Sequence, residues 1–303
     1  MALEIIDPDG DVLITCAGTV TFQVSTKALS LASPVLRGML KPISEGGLLI
    51  KSDYIKEASL NLPLDDAAAF RLLCEVAHHT TPSSIAPPSP ESLRHVVSIT
   101  HKYNCVNSMR DRGRIWLSHK RKGLSNAHLW IWLQFAYLLD LDKLFYHTSR
   151  DIICGHREDF QHGAYTVDTS EGPLPERILE LLEDSQNSVK CKIDKALMGL
   201  ISDFSQFTCA PAQAFVCDYV RNLKALNLLP GCDDLVRMGL LDVEQRADDL
   251  KERVHHHPDK DCKCRKYVWL SSKADLLARL GKCREGVGLC LACVKSSHCE
   301  KHS

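Results

Sequence analysis

Six of the 14 cysteines in this 303-residue chain fall within its last 42 residues. They are Cys262, Cys264, Cys283, Cys290, Cys293 and Cys299, and His255, His256, His257, His298 and His302 lie among them. Thiolates and imidazoles crowded in this way are the donors of a structural zinc site, where four ligands, commonly two short-spaced pairs, close a tetrahedron. Cys290-x2-Cys293 is the usual kind of pair. Cys262-x-Cys264 offers a second with a tighter gap, and Cys299-x2-His302 a third. The first set to expect is Cys262, Cys264, Cys290 and Cys293, with Cys299 and His302 as substitutes; spacing alone does not select four ligands from so many. The competing reading is a run of reduced, unligated side chains. A bound zinc would be closed and structural, stapling a tail whose own core is small. No open coordination position with a base beside it is evident, so a catalytic zinc is not expected.

The other eight cysteines, Cys16, Cys74, Cys105, Cys154, Cys191, Cys209, Cys217 and Cys232, are scattered singly, several within apolar helical patterns. Free cysteine packs as a small hydrophobe, and these read as packing residues. No secretory leader opens the chain, since Met1-Ala2-Leu3-Glu4-Ile5-Ile6-Asp7 has no basic region and no long apolar run. A location in the cytoplasm or nucleus is therefore expected, with thiols kept reduced rather than paired as disulfides. Gly-rich phosphate loops, His-Glu-x-x-His and Gly-x-Ser-x-Gly are all missing from the sequence, and an enzyme is not expected.

A net charge of −1 excludes a strong whole-chain polyanion binder. The basic cluster Arg110, Arg112, Arg114, Lys120, Arg121 and Lys122, interleaved with Trp116, reads as the solvated face of a helix and the loop after it. A nuclear-import signal at His119-Lys120-Arg121-Lys122 is the sharper alternative. Leu129 to Leu139 is the most apolar later stretch, but it is well short of the roughly 20 residues that span a bilayer, so it reads as a core helix and no membrane partner is expected.

The elements that must position these residues follow from periodicity. At 303 residues and 45% hydrophobic content the chain has room for about two domains of ordinary size. Asp11 to Ile14 and Thr21 to Val24 are β-prone runs around a turn at Cys16-Ala17-Gly18. Leu29, Ala32, Leu36, Met39 and Leu40 are helically spaced, and Ser33-Pro34 punctuates them as a cap and first-turn proline, which predicts a helical turn and then a helix over Pro34–Leu40. Leu60 to Leu64 reads as a third strand. Asp65-Asp66 then stands where acidic residues support a helix N-terminus, with the helix running from Ala67 to His79. After the loop Pro82 to Pro90, Leu93, Val96, Val97 and Thr100 predict a helix ending near Lys102-Tyr103, and Val106 to Leu117 predicts another.

This order, with Asp11-Val12, Ser33-Pro34-Val35-Leu36 and Lys102-Tyr103, resembles the BTB/POZ protein-interaction domain over about 110 residues. The fold class expected is α+β: a BTB/POZ fold at 8–120, a mostly helical extension at 125–250, and a Cys/His-rich tail at 255–303, an arrangement similar to fungal BTB proteins. The resemblance implies a non-enzymatic adaptor or scaffold that binds proteins through the BTB surface, including the cullin of a ubiquitin ligase. The alternative it implies is a zinc-stabilised transcriptional or chromatin regulator with local nucleic-acid contact. By the same analogy Asp11 matches the aspartate of a charged dimer pocket. Ten residues precede Asp11, too few for the strand-swapped homodimer of the transcription-factor type, so a monomer or a dimer through another face is expected at least as much.

Overall fold

The computed structural model describes residues 2–44, 58–80, 88–118, 124–155, 174–175, 177–259, 261–267 and 270–296. The protein is α+β, with one small sheet and many helices, and it divides into two compact units: residues 1–145 with 167–175, and residues 146–166 with 176–303. Among the described residues no helix is long and apolar enough to cross a membrane.

The first unit holds the sheet, built from β1 (Ala2–Ile5), β2 (Val12–Cys16), β3 (Val20–Val24) and β4 (Ala58–Leu62) in the order β1-β3-β2-β4. β2 and β3 are an antiparallel hairpin in which Ile14 faces Phe22 and Val12 faces Val24. In the three-residue connection, 17–19, Ala17 and Gly18 have positive φ (50° and 65°), and the Thr19 amide closes the turn on the Cys16 carbonyl at 3.1 Å. β4 runs parallel to β2, and β1, which periodicity did not reveal, runs parallel to β3. Val12, Ile14 and Cys16 alternate inward along β2, so one face of the sheet is the core face.

The helices of this unit start where polar caps allow. Ser25 accepts from the Ala28 amide at the start of α1 (Thr26–Ala32), and both oxygens of Asp11 bind Thr26, its amide at 2.7 Å and its hydroxyl at 2.6 Å. Ser33 is fully buried, accepts from the Leu36 amide at 3.0 Å, and donates to the Tyr103 carbonyl, so the expected cap of α2 (Pro34–Ser44) also ties that helix to a distant one. Asp66 caps α3 (Ala67–Ala77) through the Ala69 amide at 2.8 Å. Its neighbour Asp65 does something else: it is buried and binds Lys102 and Tyr103 at the end of α4 (Pro90–Lys102). α5 (Val106–Leu117) and α6 (Asn126–Leu138) complete the layer, with Trp116 stacked on Phe135 at 6.4 Å between ring centres. α6 buries Trp130, Ile131, Leu133, Phe135 and Ala136 almost all round, as expected of a core helix, and clusters with the sheet-bearing unit. Burial pushes the Cys16 and Cys105 thiols up to about 12 and Cys74 well above its ordinary value; these cysteines are packing residues.

The second unit takes most of α7 (Asp142–Cys154) and is otherwise helical. The two apolar patterns at 176–185 and 193–204 belong to one helix, α8 (Ile178–Phe204). It carries α9 (Ala210–Ala225), whose buried Tyr219 donates to the Leu197 carbonyl at 2.9 Å. Two further helices lie beyond Pro230-Gly231, α10 (Asp233–Arg237) and α11 (Leu240–Asp248). Gly239, just before α11, is required: a Cβ there would sit 1.6 Å from the Gly155 carbonyl oxygen. α12 (Ser272–Lys282) packs on α8, with Arg279 bridging to Asp203 at 2.6 Å, and α13 (Leu291–Lys295) follows. The described part of the 255–303 stretch thus packs into the second unit's core through Leu276, Leu280, Leu291 and Val294. Residues 81–87, 119–123 and 156–173, which carry most of the Pro/Ser-rich loop, the basic stretch at 119–122 and most of the 166–175 linker, lie outside the described residues.

Candidate metal centre

Between α11 and α12 the chain makes an excursion with little regular structure. It is pinched at its base by an antiparallel bridge between Val254 and Ser271, with the His255 amide bonded to the Leu270 carbonyl at 3.0 Å and the Ser272 amide to the Arg253 carbonyl at 2.8 Å. Such a loop has few apolar side chains with which to hold itself. Its N-terminal arm carries His255, His256 and His257, and its return arm Cys262 and a 3-10 turn (Lys263–Tyr267) that contains Cys264.

Two things dock it. One is aromatic: Phe204, at the end of α8, lies 4.9 Å from the His255 ring, 4.8 Å from Tyr267 and 5.0 Å from Phe215 between ring centres. The His255 ring is buried in this apolar nest, and burial, with His257 and His256 adding to it, lowers its basicity. The other is polar. Cys209, the N-cap residue of α9, puts its sulfur 3.4 Å from that of Cys264, and Cys262 puts its own 3.3 Å from the same atom. His257 joins them, and one ligand atom from each of the four residues lies within 4.8 Å of every other.

The set fits a metal ion. Tetrahedral zinc with Zn–S distances near 2.3 Å separates its sulfurs by roughly 3.8 Å, only slightly more than the spacings here. Three soft sulfurs and one imidazole are a Cys3His donor set, which favours zinc and leaves no coordination position open. The Asp259 amide donates to Nδ1 of His257 at 3.0 Å, which turns that ring nitrogen towards the loop's own backbone, and the Asp259 carbonyl oxygen lies 3.3 Å from the same atom.

The thiols are not equivalent. Burial works against ionising Cys209, but the Ala212 amide at the start of α9, with the Cys264 and Cys262 thiols, outweighs it and holds this thiol below its ordinary range. At Cys264, which is fully buried, burial and the two neighbouring thiols push it up to about 12. Cys209 is thus the more readily ionised of the two, and Cys264 the less.

Of the residues expected from spacing, Cys262 and Cys264 belong to the group. They are completed by Cys209 and His257 rather than by Cys290 and Cys293, which stand at the N-cap and within α13. Cys299 and His302 lie outside the described residues. Cys209, read from sequence as a packing residue, is corrected to a member of the cluster. The available signal was its position: it directly precedes Ala210-Pro211, a helix start, rather than sitting in an apolar stripe. His257 was visible only as one of a triplet, five residues before Cys262. No match is found for the chain among protein-family models, curated proteins or solved structures.

Proposed function

We propose that this protein is a non-enzymatic protein-interaction adaptor of BTB/POZ type, whose second unit is held by a structural zinc at Cys209, His257, Cys262 and Cys264. The observation that carries the adaptor reading is the connectivity of the first unit: a β2–β3 hairpin, the α1–α2 pair, β4 returning parallel to β2, then α3, α4 and α5. This agrees with the element order that the resemblance implies, and the motif residues Ser33 and Tyr103 meet in it.

The surface supports the same reading. Val35 and Met39, four residues apart on one face of α2, are 38% and 37% exposed, and Leu31 on α1 is 73% exposed, so both helices carry large apolar side chains on their outer sides. Contiguous exposed apolar surface marks partner contacts more than isolated residues do. The partner class is a cullin-type ubiquitin-ligase scaffold, for which α2, α3 and α4 form the neighbourhood of contact. Zinc serves this function indirectly, by fixing the 253–272 loop on the α8–α9 junction so that the second unit presents one surface.

The test is binding of the purified full chain to purified cullin N-terminal regions by calorimetry, repeated with Val35→Asp/Met39→Asp. Micromolar or tighter binding weakened at least about tenfold in the double variant supports the adaptor reading, about 1.4 kcal/mol at the interface. No binding to any cullin removes the ubiquitin-ligase assignment.

A further inference from the structure

Cys264 is the hub of the cysteine cluster. Its sulfur has one neighbour at 3.3 Å and another at 3.4 Å, so each neighbouring pair needs to close by little more than 1 Å to reach the roughly 2.05 Å of a disulfide. The two pairs differ in what such a bond would join. Cys262 and Cys264 are separated by one residue, and their bond would close a small ring within the loop. Cys209 and Cys264 are 55 positions apart and sit on different elements, the start of α9 and the 3-10 turn. Cys209 and Cys262 are both partly exposed, whereas Cys264 is fully buried, so an oxidant from solvent meets an outer sulfur first, and of the two outer sulfurs only Cys209 can bind the loop to another element.

We infer that the cluster is a redox modification site, in which hydrogen peroxide converts Cys209 and Cys264 into a disulfide that replaces the metal as the link between α9 and the 253–272 loop. This rests on the metal reading above. The Cys209 thiolate attacks one peroxide oxygen; an S–O bond forms, the O–O bond breaks, and hydroxide leaves. The Cys264 thiolate then attacks the sulfur of the resulting sulfenic acid; the S–S bond forms, the S–O bond breaks, and a second hydroxide leaves. Two electrons pass from the two sulfurs to the peroxide, and two protons from solvent turn the hydroxides into two waters. Only Cys262 and His257 then remain as donors, too few to retain zinc. The loop nevertheless stays joined to α9, so oxidation releases metal without releasing the loop, whereas a chelator releases both.

The experiment uses the full chain carrying Cys191→Ser and Cys217→Ser, which removes the two exposed thiols among the described residues. The chain is reconstituted with zinc, exchanged into buffer, and treated with stoichiometric hydrogen peroxide. Zinc release is followed with a chromogenic chelator, and the disulfide is mapped by mass spectrometry after alkylation of remaining thiols. The expected result is loss of about one zinc per chain, appearance of a Cys209–Cys264 linked peptide, and reversal of both by dithiothreitol with added zinc. Zinc retained through the treatment, or released with Cys262–Cys264 or over-oxidised cysteine as the main product, overturns the inference. A chain that holds no zinc before peroxide is added refutes the metal reading separately, and the peptide map still decides the thiol pairing.

Discussion

Lys102 Nζ lies 2.6 Å from one carboxylate oxygen of Asp65, and the hydroxyl of the adjacent Tyr103 donates to the other. The carboxylate is buried where β4 turns into α3, so this clamp fixes the end of α4 against the edge of the sheet. The tyrosine is equally buried, and burial together with its bond to Asp65 drives its hydroxyl far above the ordinary phenol range. Lys102 is half exposed and can recover water if its partner is lost; the hydroxyl cannot.

Removal of the carboxylate should therefore be felt mainly through Tyr103. Asp65→Ala is expected to destabilise the first unit by about 1–3 kcal/mol, the cost of a buried donor without a partner. Tyr103→Phe, which leaves Asp65 bonded to Lys102, should cost about 1 kcal/mol. Amide hydrogen exchange in the last turn of α4 reports on this locally. Unchanged exchange in Asp65→Ala would mean that the clamp contributes nothing.

Zinc content should follow the residues brought together in space. Cys209→Ser and His257→Ala are expected to lower zinc affinity at the cluster by at least about tenfold, since losing even a group that only orients a ligand costs about 10–100-fold. Cys290→Ser should leave that site occupied. Near-ultraviolet circular dichroism supplies a second readout, because Phe204 and Phe215 pack on His255 and Phe204 on Tyr267, all beside the cluster's loop. A Cys209→Ser chain with undiminished zinc and unaltered aromatic signal would refute the site.

Asp11 links acidity to the start of α1. Burial alone would raise its pKa, but the hydroxyl and amide of Thr26 outweigh that and hold it below the ordinary 3.8. A carboxyl depressed in the folded state stabilises fully above its unfolded pKa, and that contribution is lost as pH falls through the folded value. Asp11→Asn should thus speed exchange of the Thr26 amide near neutral pH, with the difference from the parent closing as pH falls below about 4. A difference that stays constant with pH would show that the charge of Asp11 is irrelevant.

Several features were legible because they are local. The β2–β3 hairpin, the Ser33-Pro34 start of α2 and the Asp66 cap each rest on neighbouring residues, so short-range chemistry suffices to read them. β1 was not legible: Ala2–Ile5 is a strand by virtue of its pairing with β3, and its own side chains are largely exposed. Asp65 looked like a second helix-capping acid until its partners, nearly forty positions on, took it for another role.

The metal cluster divides along the same line. Composition by itself pointed to the C-terminal Cys/His-rich stretch as the source of metal donors and to Cys262 and Cys264 as candidate ligands. It could not supply Cys209, because a ligand 55 positions away is related to Cys264 only through the path of the backbone. That path depends on α9 packing on α8 and on Phe204 gathering His255 and Tyr267 around it, which places the N-cap of α9 beside the loop. Donor type is a property of each residue and is written in the chain; which donors converge is a property of packing, and only the tertiary structure decides it.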